Sequence, residues 1–138
     1  VALSWPDVAA SGDWDTAGMN LVIHEFAHKL DMRGGDANGC PPLPPGLSLR
    51  TWTTRLDAAY AHFRARVQLG RHTHIDPYAA ESPAEFFAVL AEVFFADPLC
   101  FRREYRGLYE LYVQFFRQDP AARVAARAGS ERAPPARG

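Results

Sequence analysis

Apolar positions recur at helical spacing through most of the chain. From about Ala17 to Arg33, Leu21, Val22, Ile23, Phe26 and Leu30 cover nearly the whole circumference of a helix and leave one polar stripe, which carries His24 and His28. That pattern belongs to a buried helix whose polar stripe faces a cleft. Asp15 or Thr16 can cap its start by accepting from the first free N–H groups, and Gly34-Gly35 ends it with a residue suited to the left-handed position. Trp52, Leu56, Ala59, Phe63 and Val67 follow three or four residues apart, which predicts a second helix over roughly Leu49–Leu69, stopped by Gly70. Ser82-Pro83-Ala84-Glu85 opens a third helix with a serine cap, proline at the first helical position and glutamate at the third. Phe86, Phe87, Val89, Leu90, Val93, Phe94 and Phe95 make that helix part of the core. Asp97-Pro98 breaks it, and Leu99–Gln118 resumes helical patterning through Leu108, Leu111, Tyr112, Phe115 and Phe116, with a bend expected near Gly107.

The remaining segments are connections and ends. Val1–Trp5, closed by Pro6, suits a strand at a sheet edge, and a lone strand needs a partner from outside this chain. Asp36–Leu47 holds Cys-Pro-Pro-Leu-Pro-Pro-Gly and is a stiff surface loop. Arg71-His72-Thr73-His74, between a helix stop and Asp76-Pro77, is an exposed loop rather than a metal site. After Asp119-Pro120 the chain is rich in Ala, Arg and Pro without large apolar anchors, so residues 121–138 are expected to be a disordered tail. The expected fold is mainly α, with a single domain over residues 1–120.

Composition narrows the functional classes. With 138 residues, 48% hydrophobic and 22% charged, the chain can bury a real core. A formal net charge of -1 gives no global argument for binding nucleic acid or an anionic membrane. No apolar run approaches the roughly 20 residues of a membrane span, and no basic-then-apolar leader opens the chain, so no membrane association is expected. Cys40 and Cys100 lack Cys-x-x-Cys spacing. They are expected to be free thiols in a reducing compartment, which places the protein in the cytoplasm.

The candidate chemistry lies in His24-Glu25-Phe26-Ala27-His28. Residues four apart on a helix are neighbours, so the two imidazoles can share one zinc ion, and Glu25 can reach the water that such an ion activates. A catalytic zinc needs a third protein ligand. Glu85 and Glu92, seven apart on the third helix with Ala88 between them, are the downstream candidates, and spacing alone does not choose. Glu85 has a second explanation, because it could close a capping box with Ser82. Asp31 lies seven after His24 and could orient a ligand imidazole or serve as a cap. On its residues alone, Tyr78 is a packed loop aromatic.

His24-Glu25-Phe26-Ala27-His28-Lys29-Leu30-Asp31, Ile75-Asp76-Pro77-Tyr78-Ala79-Ala80 and Ser82-Pro83-Ala84-Glu85-Phe86-Phe87-Ala88-Val89-Leu90 together resemble the Mlc titration factor A family of zinc peptidases. The spacing from tyrosine to glutamate is also similar to that in anthrax lethal factor, a gluzincin. The resemblance runs to about Pro120 and corresponds to the C-terminal half of a full-length member, which implies a zincin-like helical half of a protein that is α+β when whole. It implies that His24, His28 and Glu85 hold Zn2+, that Glu25 is the general base, and that Tyr78 donates to the developing oxyanion. Glu92 is then left in an outer shell or in the cleft. The implied activity is peptide-bond hydrolysis on a peptide or protein substrate, with aminopeptidase as the subclass, linked to sugar uptake through a transcriptional repressor of the Mlc kind. The alternative is a non-catalytic regulatory protein that binds such a repressor, with zinc maintaining its shape.

Overall fold

The computed structural model describes residues 16–33 and 35–132. Its elements, in chain order, are α1 (Thr16–Met32), α2 (Leu49–Gln68), a short 3-10 turn (Pro77–Ala80), α3 (Pro83–Ala96), α4 (Pro98–Glu104), α5 (Arg106–Phe116) and α6 (Pro120–Arg132). The fold is mainly α, with no strand among the described residues. The edge strand expected at Val1–Trp5 lies outside those residues. No described helix is long and apolar enough to cross a membrane.

Local chemistry starts α2, α3 and the 3-10 turn. Ser48 accepts from the Thr51 N–H at 3.2 Å ahead of α2, and Ser82 accepts from the Glu85 N–H at 3.1 Å ahead of α3, where Pro83 occupies the first helical position. Asp76 does the same for the 3-10 turn by accepting from Tyr78 N–H at 3.0 Å. These caps satisfy N–H groups that have no partner within the helix.

α3 is the centre of the fold. It packs against α1, the 3-10 turn, α2, α4 and α5. Phe86, Phe87, Ala88, Val89, Leu90 and Ala91 form an unbroken buried run along it, joined by Phe94. Trp52 of α2 and Tyr112 of α5 stack with ring centroids 5.6 Å apart and planes 6° from parallel, and both are fully buried. The Tyr112 hydroxyl donates to the Phe87 carbonyl at 3.0 Å, so the ring is buried without an orphaned polar group. Burial, with a smaller contribution from Asp31, pushes the Tyr112 pKa well above its ordinary value.

Two expectations are corrected. The bend expected near Gly107 is a full break two residues earlier, at Tyr105 (φ -142°, ψ 68°), and Gly107 itself is inside α5. At that break the Tyr105 ring meets Phe86 and His62, with His62 Nδ1 3.1 Å from its hydroxyl. The expected disordered tail begins instead as α6, and only residues 133–138 lie outside the description. Its first turn is anchored by a relay. Tyr109 donates its hydroxyl to Asp119 at 2.6 Å and accepts from the Ala121 N–H at 2.9 Å, while Asp119 accepts from the Ala122 N–H at 3.2 Å. The anchor comes from α5, so the composition of the tail could not reveal it.

The corner after α1 joins three helices at Gly39. Its N–H donates to Asp31 of α1 at 2.7 Å, and its carbonyl accepts from the Trp52 indole of α2 at 3.0 Å. A Cβ at Gly39 would lie 2.7 Å from the Pro83 carbonyl of α3 and 2.8 Å from Leu56, and φ is +85°, a region that disfavours L side chains. Gly39→Ala should therefore lose about 3 kcal/mol or more of stability through overpacking and backbone strain. Chemical denaturation checks this, and a midpoint equal to the parent's would exclude the close approach.

Candidate metal centre

The site is built by two helices that touch along their length. His24 and His28 lie one turn apart on α1, and Glu85 is in the first turn of α3. Ala27 of α1 and Ala88 of α3 are both completely or almost completely buried, and such small side chains let two helix backbones approach closely. Glu85 then reaches both imidazoles. Its Oε2 is 3.0 Å from His24 Nε2 and its Oε1 is 3.0 Å from His28 Nε2. The two Nε2 atoms are 3.1 Å apart. Side-chain exposure is 16% for His24, 21% for His28 and 19% for Glu85, so the cluster is sheltered but open on one side.

Glu85 does not behave as a plain capping residue. Ser82 caps its N–H, while its carboxylate turns to the histidines rather than back to the chain. The capping explanation and the ligand explanation are thus compatible, because the backbone serves one and the side chain the other.

The donor set fits a metal on its own geometry. His24, His28 and Glu85 form a group whose ligand atoms all lie within 4.8 Å of one another. A tetrahedral ion with bonds of about 2.0–2.2 Å has ligand atoms roughly 3.3–3.6 Å apart, a few tenths of an ångström beyond the separations of 3.0 to 3.1 Å seen here. Glu85 Oε2 is buried and has no hydrogen-bond partner among the described residues despite its nearness to His24. A buried carboxylate oxygen left so is costly unless a cation takes its lone pair. Two nitrogens and a carboxylate oxygen are also the donor chemistry of a catalytic zinc site.

The other candidates are distributed around this centre. Glu25 follows His24 directly; its side chain is exposed and forms no hydrogen bond or ion pair with the described residues. Tyr78, in the 3-10 turn, is 51% exposed. The Glu85 carboxylate, with smaller contributions from burial and Glu81, holds its pKa above the ordinary tyrosine value, so the hydroxyl keeps its proton through the neutral range. The turn is fixed by the Tyr60 hydroxyl, which donates to the Ala80 carbonyl at 2.9 Å, and by the buried Ile75 and Ala79. Glu92 lies on the far side of His24, with Oε2 2.9 Å from Nδ1.

Asp31 is not among them. It is fully buried and accepts from the Asn38 and Gly39 N–H groups at 3.2 and 2.7 Å, so it fastens the loop after α1 instead of orienting an imidazole. Its spacing from His24 is correct for the histidine face, but backbone donors from the following loop claim it. Asn20, one turn before His24, was not visible as a candidate, although the same spacing of four would have found it. Its buried Oδ1 has no hydrogen-bond partner. Cys40 and Cys100 are free thiols, each raised in pKa mainly by burial, and His72 and His74 are exposed.

Two helical histidines one turn apart, an exposed glutamate beside the first and a facing glutamate from a second helix define a metallopeptidase type of centre. The chain belongs to the glucose-regulated metallo-peptidase M90 family, whose sequence model matches residues 1–117. It is 41% identical over 130 residues to Mlc titration factor A of Salmonella schwarzengrund, covering 93% of this chain and 48% of that protein. It is 42% identical over 126 residues to the protein of the same name from Salmonella arizonae, covering 90% and 49%. The chain spans about half the length of the curated relatives it matches.

If these three side chains are the ligands, His28→Ala and Glu85→Ala should each lower zinc affinity by more than the roughly 10–100-fold typical of losing an outer partner. Competition against a chromophoric chelator measures this. Parent-like affinity in Glu85→Ala would remove it from the ligand set.

Proposed function

We propose that the protein is a zinc-dependent peptidase of the gluzincin type, acting on a peptide or protein, with aminopeptidase as the subclass suggested by the resemblance. The observation that carries this reading is the convergence of His24 Nε2, His28 Nε2 and the Glu85 carboxylate beside an unengaged Glu25. Zinc bound there would supply a Lewis acid that acidifies water and polarises a carbonyl.

The chain's own residues do the rest. Glu25 is exposed, is held at a fixed place by α1 and has no partner among the described residues, which suits a general base that takes a proton from the attacking water and returns it to the leaving amine. Tyr78, like any tyrosine, is protonated in the neutral range, and Glu85 further opposes its ionisation, so its hydroxyl can donate to the oxygen that gains charge during attack. Its exposure leaves it accessible to a substrate lying over the centre. The 3-10 turn packs against α3, so Tyr78 and Glu85 are carried by elements in direct contact.

A second reading is favoured by the name of the relatives, Mlc titration factor A, and by the family's description as glucose-regulated. In it the protein binds a transcriptional repressor of the Mlc kind and thereby affects sugar uptake, with the metal maintaining shape. The two activities can reside in one protein.

Glu25→Gln separates them. It should lower peptide hydrolysis by the full protein roughly 100–10,000-fold while zinc content stays at one per chain, as expected for loss of a general base. Retained turnover would overturn the assignment of the base, and absence of turnover in the zinc-loaded parent across a peptide library would favour the binding role. Tyr78→Phe should lower kcat about 100–1,000-fold with little change in KM, the range found when one oxyanion donor is lost.

A further inference from the structure

His24 is held by two carboxylates from the same helix. Glu85 approaches Nε2 and Glu92, two turns further along α3, approaches Nδ1 at 2.9 Å. A neutral imidazole carries one N–H and one lone pair, and which nitrogen keeps the proton depends on the partner of the other. A carboxylate can only accept, so Glu92 at Nδ1 and Glu85 at Nε2 each favour a proton on the nitrogen they face, and a metal taking Nε2 leaves the proton on Nδ1 to Glu92. The lone pair then falls on Nε2, the atom that lies 3.1 Å from His28 Nε2 and 3.0 Å from Glu85.

We propose that Glu92 is the positioning residue of the centre, fixing both the tautomer and the ring rotation of His24 so that Nε2 is presented to the metal. The inference rests on the reading of His24, His28 and Glu85 as a metal site. Three observations give Glu92 this part. It is 22% exposed at the side chain, so its bond to His24 is sheltered from competing water. It stands on the same helix as Glu85, so the ring is gripped at both ends by one rigid element. His28 has no comparable partner, since among the described residues nothing is hydrogen-bonded to its Nδ1. His28 is thus held by Glu85 alone, whereas His24 is held by Glu85 and Glu92 together.

The test uses the full protein with Glu92→Leu and Glu92→Gln. Glutamine still accepts at the same place, whereas leucine does not. Zinc affinity is measured by chelator competition, and the His24 tautomer by long-range 1H–15N correlation spectra of the zinc-free protein. Leucine should lower zinc affinity roughly 10–100-fold, the effect usual for removing an outer partner of a ligand histidine, and should move the proton toward Nε2. Glutamine should keep the tautomer and most of the affinity. Parent-like affinity and tautomer in Glu92→Leu would overturn the proposal, as would equal losses in both variants accompanied by a lowered melting temperature of the zinc-free protein, which would mark a structural contact alone. A parent that binds no zinc would instead overturn the metal-site reading and this inference with it. The tautomer measurement, which needs no metal, tells these failures apart.

Discussion

The close packing of α1 on α3 is the constraint on which the molecule depends. The donor set is split between the two helices, and a glutamate side chain has short reach, so the backbones must come close for one carboxylate to touch two imidazoles. Buried alanines on both helices permit that approach. The aromatic layer of α2 and α5 on the other side of α3 holds it in place, with Trp52, Phe87 and Tyr112 in mutual contact. Fully burying side chains of this size stabilises by about 1.5–3 kcal/mol each, so the position of α3 rests on its apolar side and not on the polar cluster it carries.

Polar groups hold the ends of that arrangement. Asp31 is a buried carboxylate that would be costly in isolation, yet two backbone N–H groups from the following loop satisfy it. Hydrogen bonds to a charged group contribute about 1.5–3 kcal/mol, and here they also set the direction in which the chain leaves α1. Gly39, whose N–H donates one of those bonds, accepts from the Trp52 indole and lies close to Pro83. The end of the helix bearing the histidines is thereby tied to the start of the helix bearing Glu85, and rotation of either about its axis is opposed.

The centre itself combines attraction with exposure. His24 lies between two carboxylates, a favourable setting for the ring but one that leaves Glu85 Oε2 without a hydrogen-bond donor. Glu25, beside it, has no partner among the described residues, and the neighbouring α1 residues Leu21 and Phe26 are 61% and 50% exposed. Charged, apolar and unpaired groups on one open face are what a substrate or a further part of a longer protein would cover. The shallow depressions elsewhere on the surface, lined by Arg102, Tyr109 and Asp119 or by Leu30, Pro41 and Phe115, include none of the site candidates.

The linear sequence determined the helices and their limits wherever local chemistry was sufficient. Periodic apolar residues placed α1, α2 and α3, and Ser82-Pro83 marked the start of α3, because caps and helical faces involve residues a few positions apart. The same locality made His24, Glu25 and His28 legible as one motif. It could not decide between Glu85 and Glu92, since both project from one face of α3 and only the depth at which α3 lies against α1 separates them; the resemblance of the Tyr78 and Glu85 segments supplied a choice that spacing lacked. Nor could it foresee that Asp31 is claimed by the loop at Gly39, that Tyr105 breaks the helix before Gly107, or that Tyr109 and Asp119 start α6. Each of those depends on groups brought together by packing. The tertiary structure alone decided which nitrogen of His24 faces which carboxylate, because a ring's orientation is set by the partners on its two sides and both come from another helix.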